Sequence, residues 1–132
     1  MNIVYRVHWL IPWSILILGM FIIVRFARAY MDGRAFTSMD SRLLSAFSRL
    51  IGFQAALGLL YFLWSGFAGV GFPGYRILHG VVMFAAAVTT HLSRLWKNAD
   101  DQTRFLNNFF MLLASFMLML IGVSVMPNVV IR

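Results

Sequence analysis

Long runs of uncharged, mostly apolar residues divide the chain into four parts. Counting His as neutral, the first run has 18 residues between Arg6 and Arg25, and the second has 26 between Arg49 and Arg76. The third run has 17 residues between Arg76 and Arg94, and the fourth has 27 between Arg104 and Arg132. A helix needs roughly 20 residues to cross about 30 Å of hydrocarbon. Lipid offers no partners to backbone polar groups, so helices are the form such runs take. The pattern predicts four transmembrane helices near residues 7–27, 43–65, 76–94 and 105–126.

Signals at the ends of these runs predict how the helices connect. Thr37 and Asp40 have the spacing of a capping box that opens the second helix. Glycines and Pro73 interrupt the chain before the third helix. Short connections favour a single-domain, all-α, up-down-up-down four-helix bundle over residues 1–132, with the first and third helices diagonal. Ser48, Gly52 and Ala56, four residues apart, predict a close helix contact.

Composition agrees with an integral membrane protein. Of 132 residues, 61% are hydrophobic and 11% are charged, whereas soluble domains have roughly 45–50% and 25%. The chain lacks Cys, which excludes disulfides, thiolate metal sites and iron–sulfur clusters. The net charge of +7 on so apolar a chain favours anionic lipid headgroups over nucleic acid as partners.

Basic residues predict the orientation. Eight flank the first and third connections, namely Arg25, Arg28, Arg34, Arg42, Arg49, Arg94, Lys97 and Arg104. Only Arg6, Arg76 and Arg132 flank the opposite ends. The positive-inside rule then places both connecting loops in the cytoplasm and both termini outside.

Three histidines are the main candidates for chemistry, because ionisable residues within membrane spans are costly. His8 and His79 begin the parallel first and third helices at similar depth, an arrangement that suits the two axial ligands of a haem b iron. His91 lies 12 residues beyond His79, about 18 Å deeper and about 120° around the helix, so it would serve a second haem or a quinone. Gln54, deep in the second span, is a candidate for orienting a quinone carbonyl.

Simpler interpretations stay open for each residue. A His near the membrane interface can hydrogen-bond to headgroups, water or a helix end, and Gln54 can join two helices. Two alternative functions therefore stay open. The first is a haem-b electron-transfer protein or subunit, with or without a quinone as its partner. The second is a cofactor-free accessory subunit of a larger respiratory or photosynthetic complex. In both cases we expect other membrane subunits or further copies of the chain as partners, and no enzyme activity from this chain alone.

Several motifs carry a family resemblance. They are the segment Phe-Thr-Ser-Met-Asp-Ser-Arg-Leu at 36–43, Gln54 followed by Leu57-Gly58-Leu59, and the pair His79 and His91. They resemble a group of small bacterial four-span proteins, loosely cytochrome b-like, across nearly the whole chain. The resemblance implies a multi-pass protein of the bacterial inner membrane and supports the three histidines, but it implies no reaction. The first helix departs from the group's pattern, since Trp9 directly follows His8.

Overall fold

A computed structural model describes residues 2–127, and within them the chain is helical with no strand. The α-helices are α1 (Asn2–Met31), α2 (Ser38–Ser65), α3 (Gly74–Thr89) and α4 (Asp101–Ser124). A π-helical segment, Gly66–Val70, extends α2, and a 3₁₀ segment, Thr90–Trp96, extends α3. The all-α prediction with four main helices is confirmed.

The helices pack in a ring. α1 lies against α2 and α4, and α3 lies against the same two helices. In the part of the chain that the structure describes, the backbones of α1 and α3 are not neighbours. The first and third helices are therefore diagonal, as the short connections predict.

Aromatic side chains fill the middle of the ring. Phe26 and Phe105 are fully buried and meet edge to face, with centroids 5.3 Å apart. Phe47 meets Phe116 in the same way at 5.9 Å. Such pairs add roughly 0.5–1.5 kcal/mol to their burial. Gly19 of α1 lies directly against these last two rings, so α1, α2 and α4 approach closely there.

Within residues 2–127, three helical stretches are long and apolar enough to cross a membrane: α1, α2 with its π-helical extension, and α4. The third helix differs from the sequence prediction of one helix over 76–94, because its α-helical part ends at Thr89 after 16 residues. The hydroxyls of Thr89 and Thr90 donate to the carbonyls of Ala85 and Ala87, at 2.8 and 2.7 Å. These bonds compete with the regular α-helical pattern at the point where the winding tightens.

The predicted capping box is present at the start of α2. The backbone N–H of Thr37 donates to Asp40 Oδ2 at 2.8 Å, and the Asp40 N–H donates to Thr37 Oγ1 at 3.4 Å. Two of the orphan N–H groups of this helix start are thus satisfied.

Arg76, which the sequence predicts as a flanking charge, is a buried residue in the structure, 7% exposed. Its guanidinium donates to the Gly71 carbonyl at 2.8 Å and to Ser65 Oγ, and it lies 5.3 Å from the centroid of the Phe62 ring. Gly71 has a φ of 75°, a conformation that glycine adopts at little cost. Arg76 therefore ties the turn after α2 to the start of α3.

Candidate histidine site

His8 lies on α1 with its ring against α2. The ring is packed so closely on Gly58 that a Cβ added there would come within 2.9 Å of His8 Cε1. Nδ1 of His8 is buried and has no hydrogen-bond partner among the described residues. A ring nitrogen in that state is costly unless something else binds it.

Gln54 holds the backbone of His8. Its Nε2 donates to the His8 carbonyl at 2.7 Å and so joins α2 to α1. Because a carbonyl can only accept, this contact fixes which end of the amide is the nitrogen. Oε1 of Gln54 is buried, and within residues 2–127 no donor reaches it.

His79 on α3 has a defined ring orientation. Its Nδ1 lies 2.7 Å from the carbonyl oxygen of Gly122 on α4. Since the carbonyl accepts, Nδ1 carries the hydrogen of the neutral ring, and Nε2 is left with its lone pair. A histidine that ligates a metal through Nε2 commonly has this second hydrogen bond.

Three of the four sequence-predicted site residues gather at one end of the bundle. Gln54 contacts His8 directly, and His79 lies near the start of α3, at the same end of the bundle as the start of α1. His91 is placed elsewhere: it is exposed, on the 3₁₀ segment near the opposite end. No side-chain hydrogen bond joins it to the other three in the described residues.

Two glycines for which the sequence predicts no role help to shape this site. Gly58 makes room for the His8 ring, and Gly122 supplies the carbonyl that orients His79. Gly122 also packs against Met83 of α3, 3.0 Å from the position of an added Cβ. A glycine within an apolar helix marks a close approach at Gly58 and Gly122, whereas nothing lies within 4 Å of a Cβ added at Gly52 or Gly80.

The donor set suits one kind of metal centre. Residues 2–127 contain no group of three or more His, Cys, Asp or Glu side chains that could enclose a metal ion alone. Two histidines from diagonal helices are sufficient for an iron whose other ligands come from a porphyrin. His79 has this arrangement, with Nδ1 hydrogen-bonded and Nε2 left for a ligand, and on His8 the buried Nδ1 is the nitrogen without a partner among the described residues.

Compared with protein-family models, curated proteins and solved structures, the chain matches none.

Proposed function

We propose that the protein crosses the bacterial inner membrane with all four helices. The three long helices have the length and hydropathy for it. α3 with its 3₁₀ extension measures about 38 Å at 1.5 and 2.0 Å per residue, enough for a fourth crossing. Trp9, Trp13 and Trp64 are 59%, 55% and 59% exposed at one end of the bundle, as in an interfacial aromatic belt. The basic loops then face the cytoplasm and the termini lie outside.

Within this frame we propose a haem-b electron-transfer protein or subunit, in which His8 and His79 would hold the haem iron. One observation carries the proposal: the Gly122 carbonyl orients the His79 ring so that Nε2 keeps its lone pair, on the helix diagonal to that of His8, whose buried Nδ1 has no partner among the described residues. Bound there, a haem would supply one-electron transfer. The chain's own contribution is to orient both rings and to exclude water from them.

Gln54 has a role in this proposal that differs from holding a quinone carbonyl. Its Nε2 is engaged by the His8 carbonyl, which fixes the first helix at the depth of the histidines. Its free Oε1 can only accept a hydrogen bond. If quinone is a partner, Oε1 therefore suits the hydroxyl of the reduced quinol. His91, exposed near the other end, would then serve only a separate partner.

The direct test is a dithionite-reduced minus oxidised visible spectrum of protein that was expressed with haem supplied and purified in mild detergent. We expect the sharp bands of six-coordinate haem b at about one haem per chain. His8→Ala and His79→Ala should each lose that signature, whereas His91→Ala, the matched control on an exposed site, should keep it. A flat spectrum, or haem binding that survives both substitutions, would contradict the proposal.

The alternative function, a cofactor-free accessory subunit, is favoured by a different observation. Gly52 and Ala56, expected to make a helix contact, are exposed on α2, and nothing lies within 4 Å of a Cβ added at Gly52. A helix of another subunit, or of a second copy, could approach closely on this face. Co-purification of the intact membrane complex after mild solubilisation would distinguish this function, and Gly52→Leu should then release the partner.

A further inference from the structure

A cleft of about 290 Å³ opens at the end of α1. Its walls come from the last turns of the helix and the following loop; they are Phe21, Val24, Arg25, Arg28, Ala29, Asp32 and Arg34. Small-molecule pockets span roughly 300–1,000 Å³. The cleft is therefore of a size for a small polar group.

The charges in the cleft are arranged in two pairs. Arg25 and Arg34 both form ion pairs with Asp40, at 2.7 and 3.0 Å, and these ion pairs fix the positions of their guanidinium groups. Arg28 and Asp32 are exposed and one helical turn apart, yet no hydrogen bond or ion pair joins their side chains to each other or to other side chains in residues 2–127. A cation and an anion thus stand side by side without being joined.

This spacing suits a ligand that carries both signs of charge. A phosphate would bind the Arg28 guanidinium, with Arg25 and Arg34 adding to the positive potential. A primary ammonium next to that phosphate would donate to the Asp32 carboxylate. An anion without the ammonium would instead meet repulsion from Asp32.

The walls above the charges indicate that the ligand is a lipid. Phe21 and Val24 are 55% and 52% exposed on the part of α1 that lies toward the middle of the bundle. Phe21 is seven residues from Arg28, about 10 Å along the helix, and shares its face. An acyl chain can lie along this apolar strip while its headgroup reaches the arginines.

We infer that this cleft binds one phospholipid whose headgroup carries a phosphate and a primary ammonium, with the phosphate on Arg28 and the ammonium on Asp32. The inference rests on the proposed membrane placement of α1, and it does not depend on haem. Phosphatidylethanolamine is the simplest lipid of this class and is the probe for the test.

The test is native mass spectrometry of the detergent-solubilised full chain, titrated with phosphatidylethanolamine, phosphatidylcholine and phosphatidylglycerol of identical acyl chains. The ammonium of the choline lipid has no N–H to donate, and the glycerol lipid has no cation. We expect the ethanolamine lipid to bind about tenfold more tightly than either, the size of one charge-assisted hydrogen bond. Equal binding of the three would overturn the inference.

Four variants assign the roles. Asp32→Asn should abolish the preference for the ethanolamine lipid, and Arg28→Gln should weaken all three lipids by about tenfold. Asp101→Asn and Arg42→Gln, exposed residues on other helices, should change nothing. A preference that persists in Asp32→Asn, or a loss in the two controls equal to that in the cleft variants, would refute the assigned contacts.

Two further experiments test whether the ligand is a lipid or a free phosphate compound, and whether the protein enters a membrane. Inorganic phosphate and glycerophosphoethanolamine, added at the lipid concentration, should not displace the bound lipid; displacement by either would mean that the ligand is a free phosphate compound. Vesicle flotation of the same protein reports membrane insertion. Protein that floats yet binds all lipids equally contradicts only the cleft, whereas protein that fails to float contradicts the membrane placement itself.

Discussion

Nε of Arg25, near the end of α1, donates to Oδ1 of Asp40 in the first turn of α2 at 2.7 Å. Arg34, in the loop between the two helices, donates to both oxygens of the same carboxylate, at 3.0 and 3.1 Å. Asp40 is fully buried while the two arginine side chains are 31% and 34% exposed. One carboxylate thus caps α2, holds the loop and joins α1 to α2.

Replacing Asp40 with Asn should destabilise the bundle at this end. The amide keeps the shape and can still accept from Thr37, but it cannot satisfy two guanidinium groups and brings N–H donors against them. Because both arginines can turn toward solvent, we expect a loss of about 2 kcal/mol in the free energy of unfolding, below that of a fully buried pair. Thermal unfolding in detergent, followed by circular dichroism, measures this loss.

Asp101→Asn is the matched control for that variant, because Asp101 is exposed in the first turn of α4. Its melting temperature should stay close to that of the unmodified chain. If Asp40→Asn melted no lower than Asp101→Asn, the carboxylate would not stabilise the junction as described.

The same carboxylate predicts a pH dependence. Asp40 precedes the span 43–65; burial opposes its ionisation, but the hydrogen bonds from Arg34, Thr37 and Arg25 prevail and hold its pKa well below the ordinary 3.8. A lowered native pKa contributes stability that is full above the ordinary value and is lost as the pH falls below it. The melting temperature should therefore decline below about pH 4, and less steeply in Asp40→Asn. Parallel pH profiles for the two proteins would contradict this assignment.

Much of the fold follows from local features of the sequence. The four helices come from the spacing of charges, and the capping box comes from Thr37 and Asp40 alone. The bonds of Asp40 to Arg25 and Arg34 were not predictable in this way, because they depend on how α1 and α2 meet. The burial of Arg76 was not predictable for the same reason. By sequence Arg76 is a charge that flanks a membrane span, but the turn before α3, whose shape the sequence does not specify, holds it inside the protein.

The sequence selects candidate site residues and does not specify their geometry. Residue type and depth select His8, His79 and Gln54 as candidates, and the structure joins Gln54 to the backbone of His8. Which ring nitrogen is free depends on the Gly122 carbonyl, which belongs to a helix 43 residues away. His91 lies on the 3₁₀ segment that begins at Thr90, and this change of winding is a further feature that the sequence pattern does not indicate.

Gly19→Ala tests the close approach in the core. An added Cβ would meet the Phe116 ring and come within 2.8 Å of Phe47 Cε2, and both rings are held by packing. We expect a loss of about 1–3 kcal/mol in stability from overpacking. Gly80→Ala is the control, since nothing lies within 4 Å of a Cβ there; its melting temperature should be unchanged or higher. Equal melting temperatures for the two variants would show that α1 does not approach α2 and α4 as closely as described.

Gly58→Ala tests the seat of the His8 ring, and Gly52→Ala on the same helix is its control. A methyl group at Gly58 would press on His8 Cε1 from 2.9 Å, whereas one at Gly52 would meet nothing. Both substitutions gain the helix propensity of Ala, roughly 0.5–1 kcal/mol, so their difference isolates the contact with His8. We expect Gly58→Ala to melt lower than Gly52→Ala and, if haem is bound, to lose the six-coordinate spectrum that Gly52→Ala keeps. The melting temperatures test the packing whether or not haem binds, and variants that match in both measurements would place the His8 ring away from α2.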